Sequence, residues 1–431
     1  MDSEKRKEKL EELKSCNDNV VMTGIPLCYK GSIRQEHVWR IPLDYLIYNK
    51  YNGRIGSEVL SYEKQNGELD AEKEEDQKTI EKFLYESKED RNEKTMDSLL
   101  KIGQQRYGIV TSDGIIVDGN RRAMLLNRLF REHGKLGYSY SDVEKCRYFL
   151  AIILPDDAEE RDIQQLETIY QMGEDEKLDY NPIEKYLKCK ELKRLDFTEK
   201  QIAEFMGQKE SEIKKWLETL DLMEEYLQFY EYDGIYTRLE KREEYFVDLR
   251  GYLDSYSKGG SNVSKVDWDY KDSDISDLKL VCFDFIRSRY EGKDFRDIAK
   301  TGKERSIFFF EDLWTEFLNQ HMKIIPNDEE SVDDLRKRRP QENLSDLLKQ
   351  RDIAWIDRVK EPLKSNLNRF SRRLEDKRDA NKPADLLERA LNTLKSVDFN
   401  QECFKNDSHI EEMVDKIIKI TNDMKKILEQ G

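Results

Sequence analysis

The sequence predicts an α+β protein in which a small mixed domain precedes an all-helical region. Between residues 37 and 155, short apolar runs rich in Val and Ile alternate with stretches of helical periodicity, which is typical of a sheet covered by helices. From residue 156 onward, apolar residues recur at helical spacing. Charged residues make up 39% of the chain and hydrophobic residues 37%, which favours long, solvated helices.

The composition along the chain divides it into segments. Residues 61–94 consist mainly of Glu, Lys, Asp and Gln, which indicates a solvated helix or a flexible insertion. A stretch rich in Ser, Gly and Asp, centred on Gly259-Gly260-Ser261-Asn262, indicates a linker. We therefore expect an N-terminal extension (1–36), a mixed domain (37–155) carrying the insertion, a helical region with a helix-turn-helix (156–253), a linker (254–277) and a helical C-terminal domain (278–431).

Composition also limits the function. No run of about 18 apolar residues is present, which argues against a membrane-spanning helix, and the first residues lack the apolar core of a signal peptide. Six scattered cysteines without CxxC spacing favour a reducing cytoplasm and disfavour disulfides or structural zinc. The net charge of −16 opposes indiscriminate binding to polyanions, so any contact with DNA must come from a local basic surface.

The most informative stretch runs from Ile115 to Leu126. A strand-like run ends in Asp118-Gly119, and Asn120-Arg121-Arg122 then opens a helical pattern. Gly119 allows a tight turn, and the free N–H groups of a helix start, together with two guanidinium groups, form a cradle for phosphate. The alternative is a structural corner whose arginines pair with carboxylates. Asp118 is the candidate catalytic carboxylate, or else the hydrogen-bond acceptor of the turn.

A second loop offers further donors. Asn49, Asn52 and Arg54 follow the apolar run of residues 38–47. Asn, Gly and Arg clustered after a strand are typical of a loop that presents hydrogen-bond donors, although an ordinary turn has the same composition. We expect these three side chains to join the phosphate site.

Residues 198–217 predict a helix-turn-helix. Thr198 and Gln201 have capping-box spacing, Gly207 suits the turn, and Ile213 and Trp216 fall where the second helix packs on the first. Glutamates beside the lysines of the second helix weaken the case for reading DNA bases, and a helical hairpin without a DNA role is the alternative. The residues predicted to contact DNA are Thr198, Gln201, Lys209, Ser211, Lys214 and Lys215.

These pieces together resemble the ParB/sulfiredoxin superfamily, in the form of a ParB-like domain followed by its helix-turn-helix. The resemblance covers roughly residues 37–225. The stretches that carry it are Arg40-Ile41-Pro42-Leu43 with residues 49–54, Ser98 to Gln104, Asp118-Gly119-Asn120-Arg121-Arg122, and Leu178 to Glu184. Asp118 to Arg122 is similar to the phosphate-binding Gly-Glu-Arg-Arg box of that family, with Asn120 in place of the Glu.

The resemblance implies a site for a nucleoside triphosphate, CTP or ATP, with Mg²⁺. Gly119, Asn120, Arg121 and Arg122 would then hold the phosphates, and Asn181 would lie near them. The family's second box, Glu-Asn-x-x-Arg, has its nearest counterpart at Glu167, which lacks the Asn and Arg and is the candidate metal ligand. Binding is therefore favoured over hydrolysis, and whether the protein is an enzyme, such as a weak NTPase or a nuclease, stays open.

Three functions follow as hypotheses. The first is a ParB-like factor that binds nucleotide and DNA in plasmid or mobile-element maintenance, regulation or phage defence. The second is a ParB-fold nuclease or an NTP-dependent phosphotransferase that uses Asp118. The third is a structural adaptor with a vestigial pocket. Leucines and isoleucines at helical spacing from Leu344 to Leu428 predict a helical bundle that associates with itself, so the partners expected are DNA, a nucleotide and a second copy of the chain.

Overall fold

The computed structural model describes residues 1–172, 181–257, 266, 268–291, 295–400, 404 and 408–430. Its strands, in chain order, are β1 (Val20–Tyr29), β2 (Ser32–Pro42), β3 (Ile47–Tyr48), β4 (Gly108–Val110), β5 (Ile115–Asp118) and β6 (Tyr148–Ile153). Helices of the first half are α1 (Ser3–Lys14), α2 (Gly56–Asn66), α3 (Glu74–Glu86), α4 (Glu89–Ile102), α5 (Asn120–Arg131), α6 (Tyr140–Val143) and α7 (Glu160–Met172).

The described residues of the second half form helices joined by turns and loops, without a strand among them. Its α-helices are α8 (Pro182–Arg194), α9 (Glu199–Met206), α10 (Glu210–Phe229), α11 (Glu243–Ser257), α12 (Asp272–Arg287), α13 (Arg296–Ala299), α14 (Glu311–Ile324), α15 (Val332–Arg338), α16 (Leu344–Lys395) and α17 (Ser408–Gln430). A short 3₁₀ helix, Tyr236–Leu239, lies between α10 and α11. None of the described helices combines the length and apolarity that crossing a membrane requires.

The strands form one mixed sheet in the order β1-β2-β6-β4-β5-β3. The pairs β3–β5 and β4–β6 are parallel, and the other neighbours are antiparallel. The predicted hairpin of β4 and β5 is present, with Val110 opposite Ile116. The α+β class expected from the sequence is therefore confirmed, with the sheet near the amino terminus and helices after it.

The segment predicted as an extension, residues 1–36, belongs to the sheet instead. Strand β1 pairs with β2 from Val20 opposite Trp39 to Tyr29 opposite Ser32. The register shifts between Met22 and Ile25, where Gly24 has a φ of +71°. Because of this irregularity and the exposure of much of β1, the strand lacks the regular alternation of apolar and polar residues that predicts a strand.

Helices cover both faces of the sheet. On one face, Ile80 and Leu84 of α3 and Leu99 of α4 are buried together with the apolar side of α5. On the other face, Leu166 of α7 packs with Ile109 of β4 and neighbouring strand residues. The charged insertion 61–94 is thus helical, and enough of its few apolar residues point inward to anchor it over the sheet.

A single apolar cluster joins the segments predicted to lie on either side of a linker. It extends from Ile183 of α8 to Leu374 of α16. Helix α11 continues to Ser257, α12 begins at Asp272, and the Trp268 indole N–H donates to the Phe308 carbonyl oxygen at 3.0 Å. The ends of the predicted linker 254–277 are therefore part of the packed helical core. Burial of its aromatic residues stabilises these ends although most of the segment is polar. The central residues Gly259-Gly260-Ser261-Asn262 lie outside the described residues.

Candidate functional site

The Asp118–Arg122 corner has the predicted strand–turn–helix form. Strand β5 ends at Asp118, Gly119 has a φ of +99°, and α5 begins at Asn120. A Cβ on Gly119 would lie 2.7 Å from Cζ of Phe149 in β6. Glycine is therefore required both by the backbone conformation and by the packing of the Phe149 ring beneath the turn.

The side chain of Asn120 supports the corner and is directed inward. It is 2% exposed; its Oδ1 accepts from the Asn49 N–H at 2.9 Å, and its Nδ2 donates to the Ile116 carbonyl oxygen at 2.8 Å. Asn49 in turn accepts from the Tyr51 N–H at 2.9 Å. The amides of Asn120 and Asn49, predicted to bind phosphate, instead fix the 49–57 loop against the corner.

Arg122 and Asp118 form an ion pair. The distance from Arg122 Nη2 to Asp118 Oδ2 is 2.9 Å, and Arg122 Nη1 donates to the carbonyl oxygens of Arg106 and Tyr107. For these two side chains the structure agrees with the alternative interpretation, in which an arginine pairs with a carboxylate. Before acting as a general base or as a metal ligand, Asp118 would first have to give up this partner.

Arg121 points to a different part of the surface. Its Nε donates to Asn92 Oδ1 at 2.9 Å, and its Nη2 contacts the Lys88 carbonyl oxygen at 3.4 Å. Asn92 is fully buried and donates to the Tyr85 carbonyl oxygen at 2.8 Å. The charged insertion thus reaches the corner and orients Arg121, a contact that the sequence did not indicate.

Three arginines from separate elements gather at this point. Burial of the Arg121 guanidinium, together with the charges of Arg54 in the 49–57 loop and Arg91 in α4, lowers the pKa of Arg121. The neighbouring carboxylate of Asp90 acts in the opposite direction but does not cancel the effect. Arg91 itself lies 3.9 Å from Asp90, so the carboxylate balances part of the positive charge that acts on Arg121.

Glu167 of α7 binds the 49–57 loop through hydrogen bonds. This carboxylate is fully buried; it accepts from the Gly53 N–H at 2.9 Å and from Asn52 Nδ2 at 3.3 Å, and it pairs with Lys188 Nζ at 2.8 Å. Glu167 was the predicted metal ligand and Asn52 a predicted phosphate ligand. Both side chains serve instead to attach the loop to α7 and α8.

Glu184 of α8 holds the far end of the same loop. Its two oxygens accept from the N–H groups of Gly56 and Ser57, each at 2.9 Å, at the start of α2. Burial of this carboxyl group and the nearby charge of Glu58 raise the pKa of Glu184 to about 7. Two buried carboxylates therefore fix the position of Arg54 relative to the corner, and one of them can titrate near neutral pH.

The remaining predicted residues lie on the helical half. The Asn181 side chain caps α8 by accepting from the Ile183 N–H at 3.1 Å, which is a different role from the predicted one beside the phosphates. Among the residues that the structure describes, no three His, Cys, Asp or Glu side chains are grouped so that they could hold a metal ion.

The predicted helix-turn-helix has the expected local geometry. Thr198 and Gln201 form a reciprocal capping box at the start of α9, and Gly207 ends that helix with a φ of +63°. Ile213 of α10 is buried against α9. Of the residues predicted to contact DNA, Thr198 and Gln201 are engaged in the cap, Lys215 pairs with Glu212 at 2.7 Å, and the exposed remainder consists of Lys209, Ser211 and Lys214.

Sequence reasoning missed three residues that shape the site: Arg91, Asn92 and Glu184. Each lies in a segment rich in charged residues, so the residue type alone does not indicate a functional role.

Comparison with family models finds none that matches the chain, and no curated protein matches it.

Proposed function

We propose that this chain is a ParB-like nucleotide- and DNA-binding protein whose phosphate site is formed by Arg54, Arg91 and Arg121. The observation that supports this proposal is the partly buried guanidinium of Arg121, which Asn92 and the Lys88 carbonyl oxygen orient and whose pKa is lowered by its burial and by the charges of Arg54 and Arg91. Arginine forks match the oxygens of a phosphate, and an anion bound among them would relieve their mutual repulsion. The expected ligand is CTP or ATP with Mg²⁺.

The proposal favours binding over catalysis. Asp118 and Glu167, the two carboxylates considered for chemistry, are each paired with a cation. A carboxylate that is already neutralised is a poor general base and a poor metal ligand. Neither of these two carboxylates therefore favours the nuclease or phosphotransferase alternatives, and the adaptor with a vestigial pocket becomes an outcome of the binding test.

Calorimetric titration with CTP, ATP and GTP in the presence of Mg²⁺ tests the site. We expect saturable binding of one nucleotide that Arg121→Ala weakens by about 1.5–3 kcal/mol, or roughly 10- to 150-fold in Kd. Arg131→Ala is the matched control, because Arg131 lies on the same helix with a side chain that is 56% exposed and directed to Glu81. Absence of binding to all three nucleotides, in a wild-type protein with a normal unfolding transition, would reject the nucleotide site.

DNA binding is proposed for the exposed start of α10. Lys209 and Lys214 are exposed there and are the residues able to approach a phosphate backbone without first breaking an ion pair. Anisotropy of a labelled duplex measured over a salt series should show that Lys209→Ala/Lys214→Ala lowers the salt slope by about 1–2, because each phosphate contact contributes about 0.9. Lys364→Ala, exposed in the middle of α16, should leave the slope unchanged.

Self-association completes the proposal, with α17 as the contact between two copies. Six of its apolar residues follow a heptad pattern along the helix, whereas Val414, Ile418 and Leu428 lie outside it; the six are Ile410, Met413, Ile417, Ile420, Met424 and Ile427. The last five of these side chains are 37% to 70% exposed in the single chain. Alternating spacings of three and four residues place all six on one seam, which is the pattern of a coiled coil.

A further inference from the structure

The helical half contains a strongly cationic cavity that the proposed corner site does not use. It has a volume of about 340 Å³ and lies between the 3₁₀ helix Tyr236–Leu239, the end of α12 and α16. Five cationic side chains line it, and one carboxylate, Asp352, faces them. The cationic side chains are Arg238, Arg242, Arg287, Arg289 and Lys349. The chain as a whole has 91 acidic and 75 basic residues, so the excess of basic residues in the cavity is opposite in sign to the net charge of the chain.

The inner wall of the cavity is rigid. Arg287 is 4% exposed, and its guanidinium lies 4.6 Å from the ring centre of Tyr230 and 4.4 Å from that of Trp355. Glu329 accepts from it at 2.8 Å, and the Tyr232 hydroxyl lies 3.1 Å from its Nε. Side chains held in this way keep their position when a ligand enters, so the wall is preorganised.

The single carboxylate of the wall, Asp352, already has cationic and hydroxyl partners. Asp352 pairs with Arg238 at 2.6 Å and with Arg287 at 3.2 Å, and it also accepts from the Tyr232 hydroxyl. It therefore has no capacity left to neutralise the outer cations. Its role is to hold the inner arginines in place, which leaves the charges nearer the opening to attract a ligand.

Three cations near the opening lack a carboxylate partner. Arg242 donates to the Tyr290 carbonyl oxygen at 3.3 Å, Arg289 and Lys349 are exposed, and none of the three forms an ion pair with any residue in the described part of the chain. A neighbouring cavity shares Arg242 and Arg289 but is lined by as many acidic as basic residues. The cationic excess is thus larger in the 340 Å³ cavity than in this neighbour.

We propose that this cavity binds a phosphate-bearing small molecule. Its volume lies at the small end of the usual range for ligand pockets, and arginine forks together with a lysine are the groups that recognise phosphate oxygens. The apolar side chains of Ile286, Ile353 and Ile356 and the ring of Tyr232 line the rest of the wall. They provide a surface for a planar or apolar portion of the same ligand. The inference is independent of the corner site.

Titration of the full-length protein with inorganic pyrophosphate tests the proposal. We expect saturable binding that Arg289→Ala/Lys349→Ala weakens at least tenfold, since two exposed cations are removed from the opening. Both side chains are exposed, so the variant should keep the wild-type unfolding curve. Lys364→Ala, an exposed lysine of the same helix outside the cavity, is the matched control and should bind as the wild type does.

Repeating the titration with Arg121→Ala distinguishes pyrophosphate binding at the corner from binding in the cavity. If both sites bind pyrophosphate, each variant loses one of two equivalents; if only the cavity binds, Arg121→Ala changes nothing. Unchanged binding in Arg289→Ala/Lys349→Ala, an equal loss in Lys364→Ala, or absence of saturable binding by the wild type would each overturn the proposal. The first two results leave the corner site untouched, and nucleotide binding at the corner is measured separately by the titrations with CTP, ATP and GTP.

Discussion

At the scale of single residues, Gly119 has the most demanding position at the corner. Its φ of +99° is unfavourable for any residue with a Cβ, and the added atom would lie 2.7 Å from the Phe149 ring. We expect Gly119→Ala to lower the free energy of unfolding by about 2–4 kcal/mol, from backbone strain plus overpacking. Urea denaturation followed by circular dichroism measures this loss.

Gly31→Ala serves as the control for that substitution. Gly31 also has a positive φ, +72°, but nothing lies within 4 Å of the Cβ it would gain. It should therefore lose only the backbone contribution, about 1–2 kcal/mol. Equal losses at the two positions would mean that the Phe149 contact has no energetic weight.

The buried pair of Glu167 and Lys188 gives a second prediction at this scale. The side chains are 0% and 4% exposed and lie 2.8 Å apart. Lys188→Met leaves Glu167 as an uncompensated buried charge, so the free energy of unfolding should fall by about 3–5 kcal/mol. Adding Glu167→Gln removes that charge while keeping an acceptor for the Gly53 N–H, and should recover part of the loss. A double-mutant cycle in urea measures the coupling; additive losses would contradict it.

At the scale of elements, the 49–57 loop and the start of α2 depend on pH through Glu184. The folded state raises the pKa of this carboxyl group from 4.5 to about 7, because it is buried and close to Glu58. The protonated form is therefore favoured by folding. Its contribution to stability is complete below about pH 4.5 and is lost as the pH rises through 7.

We expect the difference in unfolding free energy between wild type and Glu184→Gln to shift in favour of the variant as the pH increases from 5 to 8. Chemical denaturation at several pH values measures this difference. Glu361→Gln, at an exposed position on α16, is the control and should give a difference that does not change with pH. If this difference does not change with pH for Glu184→Gln, the hydrogen bonds from Gly56 and Ser57 keep the wild-type Glu184 carboxylate charged over the whole pH range.

Elements fixed by neighbours in the sequence were predictable, and those fixed by distant contacts were not. The β4–β5 hairpin, the Thr198–Gln201 cap and the Gly119 turn follow from a few adjacent residues. The attachment of the loop to Glu167 and Glu184 joins residues more than 110 positions apart, and each glutamate looks like any surface charge in the sequence. The same reasoning explains why the pairing of β1 was missed and why Arg91 was not expected at the corner.

At the scale of the whole molecule, the charge distribution separates the proposed functions. The cationic cavity is a local positive feature in a chain of net charge −16, whereas the proposed sites at Arg121 and at Lys209 and Lys214 each have carboxylates nearby. An acidic surface around local cationic sites lowers non-specific binding to polyanions while leaving those sites available. Association of two copies would double the number of each site, which raises avidity for a polymer such as DNA more than affinity for a small nucleotide.

The orientation of the proposed dimer follows from the charges beside the α17 seam. Lys416 and Asp423 occupy g positions of the heptad. In an antiparallel pair, Lys416 of one copy faces Asp423 of the second copy, whereas in a parallel pair it faces Thr421. Opposite charges at such flanking positions favour one orientation over another, so the antiparallel arrangement is expected.

Light scattering after size exclusion tests the dimer. The wild-type protein should have twice the mass of one chain, and Ile417→Asp, which places a charge in the seam, should reduce it to a single chain mass. Ile418→Asp is a closely matched control, because Ile418 is the adjacent residue, is 51% exposed and lies at the b position outside the seam. Dissociation by both variants would indicate that the contact is a general apolar patch. A wild type with the mass of one chain would reject the dimer, because the seam is exposed in the single chain and would then have no second copy to cover it.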